Sequence, residues 1–114
     1  MTWEEVRGLA RALPGVEDGT SYGTPALKVG GRLLVRLRED GATVVLQDIG
    51  FDEREALIES RPDVFHFTDH YRDYPCVLAR LTAAGPDALR GLIERSWRAR
   101  APKRVVAAWE RDRP

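Results

Sequence analysis

Four side chains that could bind a ligand lie within one short segment, "TDHYRDYP", residues 68–75. They are His70, Tyr71, Arg72 and Tyr74, whose imidazole, phenol and guanidinium groups donate hydrogen bonds, stack on flat rings and pair with phosphate. The segment is longer than a tight hairpin turn requires, and such loops often carry function. Alternatively, both tyrosines pack as structural supports with bonded hydroxyls. The sequence leaves these two interpretations open.

Lys28 is a second candidate, because it stands where the strand pattern asks for an apolar residue. In "PALKVGGRLLVRL", residues 25–37, the pair Gly30-Gly31 predicts a two-residue turn that sets Lys28 opposite Leu33. Opposed residues share a face, so Lys28 falls among predicted core side chains. Either its stem lies on apolar neighbours while its ammonium reaches water, or it is a partly desolvated cation facing a cleft.

Basic side chains also surround a helix break near the end of the chain. In "SWRARAPKRVVAAW", residues 96–109, Pro102 interrupts a helical pattern, and Lys103 and Arg104 follow in the first turn of the next segment. The exposed amides of a helix start favour anions, and bound phosphate would offset the unfavourable placement of cations there. The alternative is a solvent-exposed break with no partner.

Metal and nucleophile signals are weak. His66 and His70, with Asp69 and Asp73 nearby, lie in a strand-and-loop pattern that does not predict a metal site. The lone Cys76 has no base fixed beside it by spacing and is interpreted as a structural residue. Neither a phosphate-binding glycine loop nor a serine elbow is present. We therefore expect no cofactor and no catalytic residue.

The elements that position these residues are predicted from periodicity and turn signals. Thr2 with Glu5 forms a capping-box pattern at the start of a first helix, and Asp52 with Glu55 repeats it at a second. "VFHF" and "CVLARL" indicate strands on either side of the 68–75 loop, and Gly85-Pro86-Asp87 opens the last helical region. The order is helix, a meander of strands, helix, a second hairpin and helix, which is an α+β domain.

Two turn signals assign the faces of the meander. Gly30-Gly31 also pairs Ala26 with Val35, and Asp40-Gly41 pairs Leu37 with Val44. The predicted core face holds Ala26, Leu33, Val35, Leu37, Val44 and Leu46. The other, partly exposed face holds Leu27, Val29, Leu34 and Val45 with Arg32, Arg36, Arg38 and Gln47.

The length and composition are those of one ordinary globular domain, residues 1–114. No apolar run approaches the roughly 20 residues of a membrane span, and the first residues do not resemble a signal peptide. With a single cysteine, cytoplasmic residence is expected. Formal net charge is zero, but residues 39–63 contain eight acidic and two basic side chains, and residues 90–104 contain six basic and one acidic. Such a dipolar domain could present a basic surface to phosphates.

Three stretches carry a resemblance to a known family. "LPGVEDGTSYGTPALKVGGRLLVRL", "HYRDYPCVLARL" and "SWRARAPKRVVAAW" follow in the order found in the MmcQ/YjbR family of small bacterial proteins. The resemblance implies a CyaY-like (frataxin-like) fold, in which helices pack on one face of a twisted antiparallel sheet. It also implies a DNA-binding label and no enzyme activity. The family's motif residues correspond here to Tyr22, Pro25, Lys28, His70, Tyr71, Tyr74, Pro75, Trp97, Pro102 and Lys103.

Three functions follow as hypotheses, each for a monomer. The first is a non-enzymatic DNA-binding domain that contacts phosphates through hairpin loops and C-terminal basic residues. Its candidate nucleic-acid or anion contacts are Lys28, Arg36, His70, Tyr71, Arg72, Tyr74, Lys103 and Arg104. The second is a module that binds a small molecule or anion in a pocket, with candidates Tyr22, Lys28, His70, Tyr74 and Trp97. The third is a protein-interaction adaptor that uses the Leu27/Val29/Leu34 face.

Overall fold

Six antiparallel strands form one sheet in the computed structural model, which describes residues 1–113. The strands are β1 (Val16–Ser21), β2 (Thr24–Val29), β3 (Arg32–Leu37), β4 (Thr43–Gln47), β5 (Phe65–His66) and β6 (Cys76–Arg80). Their order across the sheet is β1-β2-β3-β4-β6-β5. The sequence did not predict β1, which pairs with β2 through a turn at Tyr22-Gly23.

Four α-helices accompany the sheet, namely α1 (Trp3–Arg11), α2 (Phe51–Ser60), α3 (Pro86–Arg100) and α4 (Lys103–Arg111). The predicted capping box of α1 is confirmed, since Thr2 Oγ1 accepts from the Glu5 amide at 3.2 Å and the Glu5 carboxylate accepts from the Thr2 amide at 3.0 Å. The predicted Asp52 cap is wrong, because α2 already begins after Gly50. Pro102 separates α3 from α4, as predicted. No helix within residues 1–113 is long and apolar enough to cross a bilayer.

All four helices pack on one face of the sheet. Their apolar side chains join the inward-facing residues of the strands in one large core, and this cluster includes Val6, Leu57, Leu89, Ile93, Trp97 and Val105. On the other face, called the open face below, Val45, Cys76 and Leu78 form a small separate cluster with Tyr71. The α+β fold with helices on one side of an antiparallel sheet is therefore confirmed.

A β-bulge between β2 and β3 changes which residues face the core. The predicted pairs Val29–Arg32 and Lys28–Leu33 form, but Leu27 then pairs with Val35, so Leu34 is the extra residue. Leu34 and Val35 are both buried in the large core. Lys28 and its partner Leu33 consequently lie on the open face, and so does Ala26.

Two sequence predictions are therefore wrong. Ala26 pairs with Arg36 rather than Val35, and neither Ala26 nor the pair Lys28–Leu33 belongs to the core face, contrary to the prediction. The supposed adaptor surface does not exist, because Leu27, Val29 and Leu34 are buried against the helices.

Candidate binding cleft

The open face carries a cleft of about 260 Å³ between the β1–β2 turn and the segment that precedes β6. It is lined by Tyr22, Leu33, Arg36, Gln47, His70, Tyr71, Tyr74 and Cys76. An adjoining space of about 280 Å³ shares several of these residues and adds Arg38 and Glu39. Four of the eight cleft residues carry aromatic or imidazole rings, and one carries a full positive charge.

Arg36 lies in the middle of the open face. Cross-strand pairing places it in a row with Ala26, Val45, Leu78 and His66, which span five strands. Only 5% of Arg36 is exposed, although its guanidinium lines the cleft. Arg36 is therefore an almost buried cation in the lining of the cleft.

The hydrogen bonds of Arg36 leave part of its guanidinium free. Nη1 donates to Thr24 Oγ1 at 2.9 Å and makes a long contact of 3.4 Å with the Glu39 carboxylate. Nη2 donates to the Tyr71 hydroxyl at 3.0 Å. Within residues 1–113, the Nε–H and one Nη2 hydrogen have no acceptor. Burial alone would lower the pKa of Arg36, but Tyr71 and Glu39 raise it overall, so the group stays charged.

Tyr71 fixes one wall of the cleft. A short 3-10 helix, Asp69–Tyr71, turns its ring onto the apolar cluster of Val45, Cys76 and Leu78. Its hydroxyl accepts the hydrogen bond from Arg36. Tyr71 thus fits the interpretation of a packed support with a bonded hydroxyl. Tyr74 does not, because it is 59% exposed at the rim.

His70 and Tyr22 complete the aromatic walls. The His70 ring meets Tyr71 edge-on, with centroids 4.7 Å apart, and lies 6.3 Å from the Tyr74 centroid. On the other side, the Tyr22 centroid lies 5.2 Å from the Arg36 guanidinium carbon. Tyr22 is 83% exposed and has a positive φ of 53°.

Arg54, which the sequence reasoning missed, holds the 68–75 segment in place. From α2, its guanidinium donates to the backbone carbonyls of Tyr71, Arg72, Tyr74 and Cys76 at 2.7–3.2 Å. The guanidinium also stacks on Phe67, with 4.0 Å from its carbon to the ring centroid. No sequence signal distinguishes Arg54 from a surface arginine, since its partners are main-chain oxygens about 20 residues away.

Two titratable groups of the open face, Cys76 and His66, are shifted toward their neutral forms. Burial raises the pKa of the Cys76 thiol to about 11, with Arg54 acting weakly in the opposite direction, so the thiol is protonated at neutral pH. Burial, followed by the charges of Arg80 and Arg38, lowers the pKa of His66. Across residues 1–113, no three His, Cys, Asp or Glu side chains come together in a way that could hold a metal ion.

The cleft brings together five of the predicted site residues, Tyr22, Arg36, His70, Tyr71 and Tyr74. Lys28 shares the open face, but its aliphatic stem lies over Gly19 and it does not line the cleft. Leu33, Gln47 and Cys76 were not predicted to line it. Gln47 and Cys76 are a cross-strand pair, a signal available only once β4 and β6 are known to be neighbours.

The remaining predicted residues lie elsewhere. Arg72 is exposed and pairs with Asp69 at 2.5 Å. Lys103 and Arg104 begin α4, on the helical side of the sheet. The prediction that Trp97 lines a pocket is wrong, because it is fully buried in the large core, where Nε1 donates to the Pro14 carbonyl at 2.9 Å.

Comparison with known proteins gives both family and structural matches. A family model described as YjbR matches residues 11–99. Uncharacterized proteins Rv2570 of Mycobacterium tuberculosis and Mb2600 of Mycobacterium bovis are each 41% identical over 54 residues, which is 47% of this chain and 42% of the mycobacterial proteins. The crystal structure of Deinococcus radiodurans protein DR2400, with a DUF419 domain, superposes with a TM-score of 0.70 at 19% identity, covering 84% of this chain and 75% of that one. At that identity, the likeness concerns the fold.

Proposed function

The chain belongs to the YjbR family, and we propose that it is a non-enzymatic binding module that holds a small anionic ligand in the open-face cleft. The observation that carries the proposal is Arg36, an almost buried cation that lines an accessible cleft. Within residues 1–113 its one carboxylate partner is Glu39, which is exposed and makes only the 3.4 Å contact.

A bound anion would stabilise the charged guanidinium of Arg36. Buried charges are normally paired, and charge-assisted bonds between arginine and carboxylate or phosphate are among the stronger hydrogen bonds in proteins. Arg36 keeps two N–H groups without acceptors within residues 1–113, and its other bonds fix the orientation of the guanidinium. A preorganised donor of this kind binds a carboxylate at little entropic cost.

Binding rather than covalent chemistry is supported by the state of the nearby thiol. Cys76 lines the cleft but is 1% exposed, and its raised pKa keeps it protonated. A thiol in that state is a poor nucleophile.

The proposal is tested by titrating the protein with benzoate and, separately, with inorganic phosphate at constant ionic strength. The Arg36 Nε–H resonance follows the site directly in ¹H–¹⁵N spectra, and calorimetry measures the affinity of Arg36→Gln, which lacks that resonance. We expect saturable shifts at Arg36 with at least one probe, and Arg36→Gln should weaken that binding about 10- to 100-fold. The matched control is Arg32→Gln, which alters an exposed arginine of the same strand. Titrations without saturation, or equal losses in both variants, would remove the proposal.

DNA is a second candidate, favoured by one observation. Tyr22 and Tyr74 are exposed aromatic rings that line the same cleft as Arg36, and such rings stack on the bases of a single strand. Duplex contact receives less support, because Arg36 is almost buried and Lys103 and Arg104 lie on the other side of the sheet. Anisotropy of labelled single-stranded and duplex DNA at low and moderate salt separates the cases. Salt-sensitive binding lost in Tyr74→Ala but not in Lys103→Ala would identify the open face as the surface.

A further inference from the structure

We infer that the ligand of the cleft is a small aromatic monocarboxylate, whose ring stacks on Tyr22 while its carboxylate meets Arg36. The inference rests on the proposed function and specifies the chemistry of its ligand. It is carried by the conformation, exposure and position of Tyr22.

Tyr22 occupies a backbone conformation that tyrosine rarely adopts. It and Gly23 are the two residues of the β1–β2 turn, and both have positive φ, 53° and 78°. Turns with two positive φ values favour Asn, Asp and Gly, because a larger side chain is strained in the left-handed region. Strain of this kind tends to persist where it serves a function.

The fold gains little from the Tyr22 ring. With 83% of the residue exposed, its burial offsets little of the backbone cost. The ring instead lies against the guanidinium of Arg36, the cation of the cleft. The strained turn therefore serves to place the Tyr22 ring beside that cation.

A second contact couples the turn to Arg36. Thr24, the first residue after the turn, donates its hydroxyl to the Ser21 carbonyl at 2.9 Å and accepts from Arg36 Nη1 at 2.9 Å. The position of the Tyr22 ring and the orientation of the guanidinium are consequently set by the same three-residue connection. Tyr22 and the His70–Tyr74 pair line the cleft together with Arg36, so a flat ligand that reaches Arg36 lies among aromatic rings.

Size and charge narrow the ligand class. A volume of about 260 Å³ is slightly below the roughly 300–1,000 Å³ of sites for drug-sized molecules, so the ligand has one or two rings. Glu39 lines the adjoining space and is negatively charged, since a hydrogen bond from its own backbone amide, followed by the charge of Arg36, lowers its pKa against the opposing effect of burial. A second negative charge on the ligand would be repelled there, which favours a monocarboxylate over a phosphate monoester.

The experiment compares benzoate with cyclohexanecarboxylate, which have the same charge and number of carbon atoms but differ in the flatness and π-face of the ring. Affinities come from the Arg36 Nε–H shift or from calorimetry. We expect benzoate to bind about 2- to 10-fold more tightly, the range that ring stacking contributes. Tyr22→Phe should retain this ratio. Tyr22→Asn, which tolerates the turn's backbone, should reduce the ratio to about one.

The outcomes separate this inference from the proposed function. Equal affinity for the two acids, or a ratio unchanged in Tyr22→Asn, overturns the aromatic ligand. The anion site still stands in that case, provided that Arg36→Gln weakens the binding of both acids. No binding of either acid, together with none of inorganic phosphate, overturns both. A phosphate affinity above that of benzoate overturns the monocarboxylate class.

Discussion

Tyr71 is the residue at which packing and charge meet in the cleft. Its ring covers the small apolar cluster of the open face, and its hydroxyl is the acceptor for Arg36 Nη2. An almost buried N–H that loses its acceptor destabilises the folded state by more than the bond itself contributes.

We therefore expect Tyr71→Phe to lower the free energy of unfolding by about 1–2 kcal/mol, measured by urea denaturation. Tyr74→Phe is the matched control, because Tyr74 is mostly exposed and its hydroxyl makes no hydrogen bond within residues 1–113. Its effect should stay within about 0.5 kcal/mol. Similar losses in both variants would contradict the role given to the Tyr71 hydroxyl.

Cys76 predicts a pH dependence whose sign follows from burial. The folded-state pKa is raised from 9.0 to about 11, so the thiol contributes stability that is fully present below pH 9 and is lost as the pH rises toward 11. Unfolding free energies of wild type and Cys76→Ala at pH 8 and pH 10.5 test this. The wild type should lose more stability over that interval than the variant, and parallel losses would contradict the shift.

Among the elements, the β2–β3 bulge is the feature that the sequence pattern could not predict. Both turn signals were correct, and every pair next to them formed. The error arose because Leu33, Leu34 and Val35 are three consecutive apolar residues, so "RLLVRL" fits either phase of the strand. Alternation could not reveal an extra residue there. The shift moved Lys28 to the open face and Leu34 into the core.

The segment before β6 owes its conformation to α2 through Arg54. Four carbonyl oxygens share this guanidinium, and short segments without regular structure rely on such contacts for order. Arg54 is thus a positioning residue for Tyr71 and Tyr74. It reaches the cleft only through the backbone of that segment.

We expect Arg54→Lys to increase amide hydrogen exchange at residues 71–76 and to weaken benzoate binding several-fold, because one ammonium cannot serve four carbonyls at once. Exchange in β2 and β3 should change little. Arg61→Lys, at the exposed end of α2, is the control and should leave both readouts unchanged. Weaker binding without faster exchange at 71–76 would contradict the positioning role.

For the whole molecule, the sequence predicted the fold class, the three helix starts at Thr2, Gly85 and Pro102, and the hairpin turns of the central strands. These depend on local signals, namely caps, prolines and glycine pairs. Trp97 was misplaced for the opposite reason. The sequence pattern of a helical tryptophan is the same whether its side chain lies in a core or lines a pocket. Only the packing of α3 against the sheet shows that Trp97 lies in the core.

The two sides of the sheet separate the cleft from the basic start of α4. The double variant Lys103→Ala/Arg104→Ala should therefore keep a benzoate affinity within about twofold of wild type. Exposed charges on the opposite side of the sheet from the cleft are largely screened by salt. Tight duplex DNA binding that disappears in the double variant would instead place a second function on the helical side. Isotherms for both probes on one protein preparation distinguish the results.

Both margins of the sheet are poor templates for strand addition by another copy of the chain. At one margin, β5 contributes only two residues. At the other, β1 carries the charged side chains of Glu17 and Asp18, and Asp18 pairs with Arg7 at 2.6 and 2.8 Å and with Arg11 at 2.6 Å. Sheet proteins that aggregate usually do so along an unguarded margin. We therefore expect this chain to leave one sheet face uncovered for a ligand without pairing edge to edge with other copies of itself.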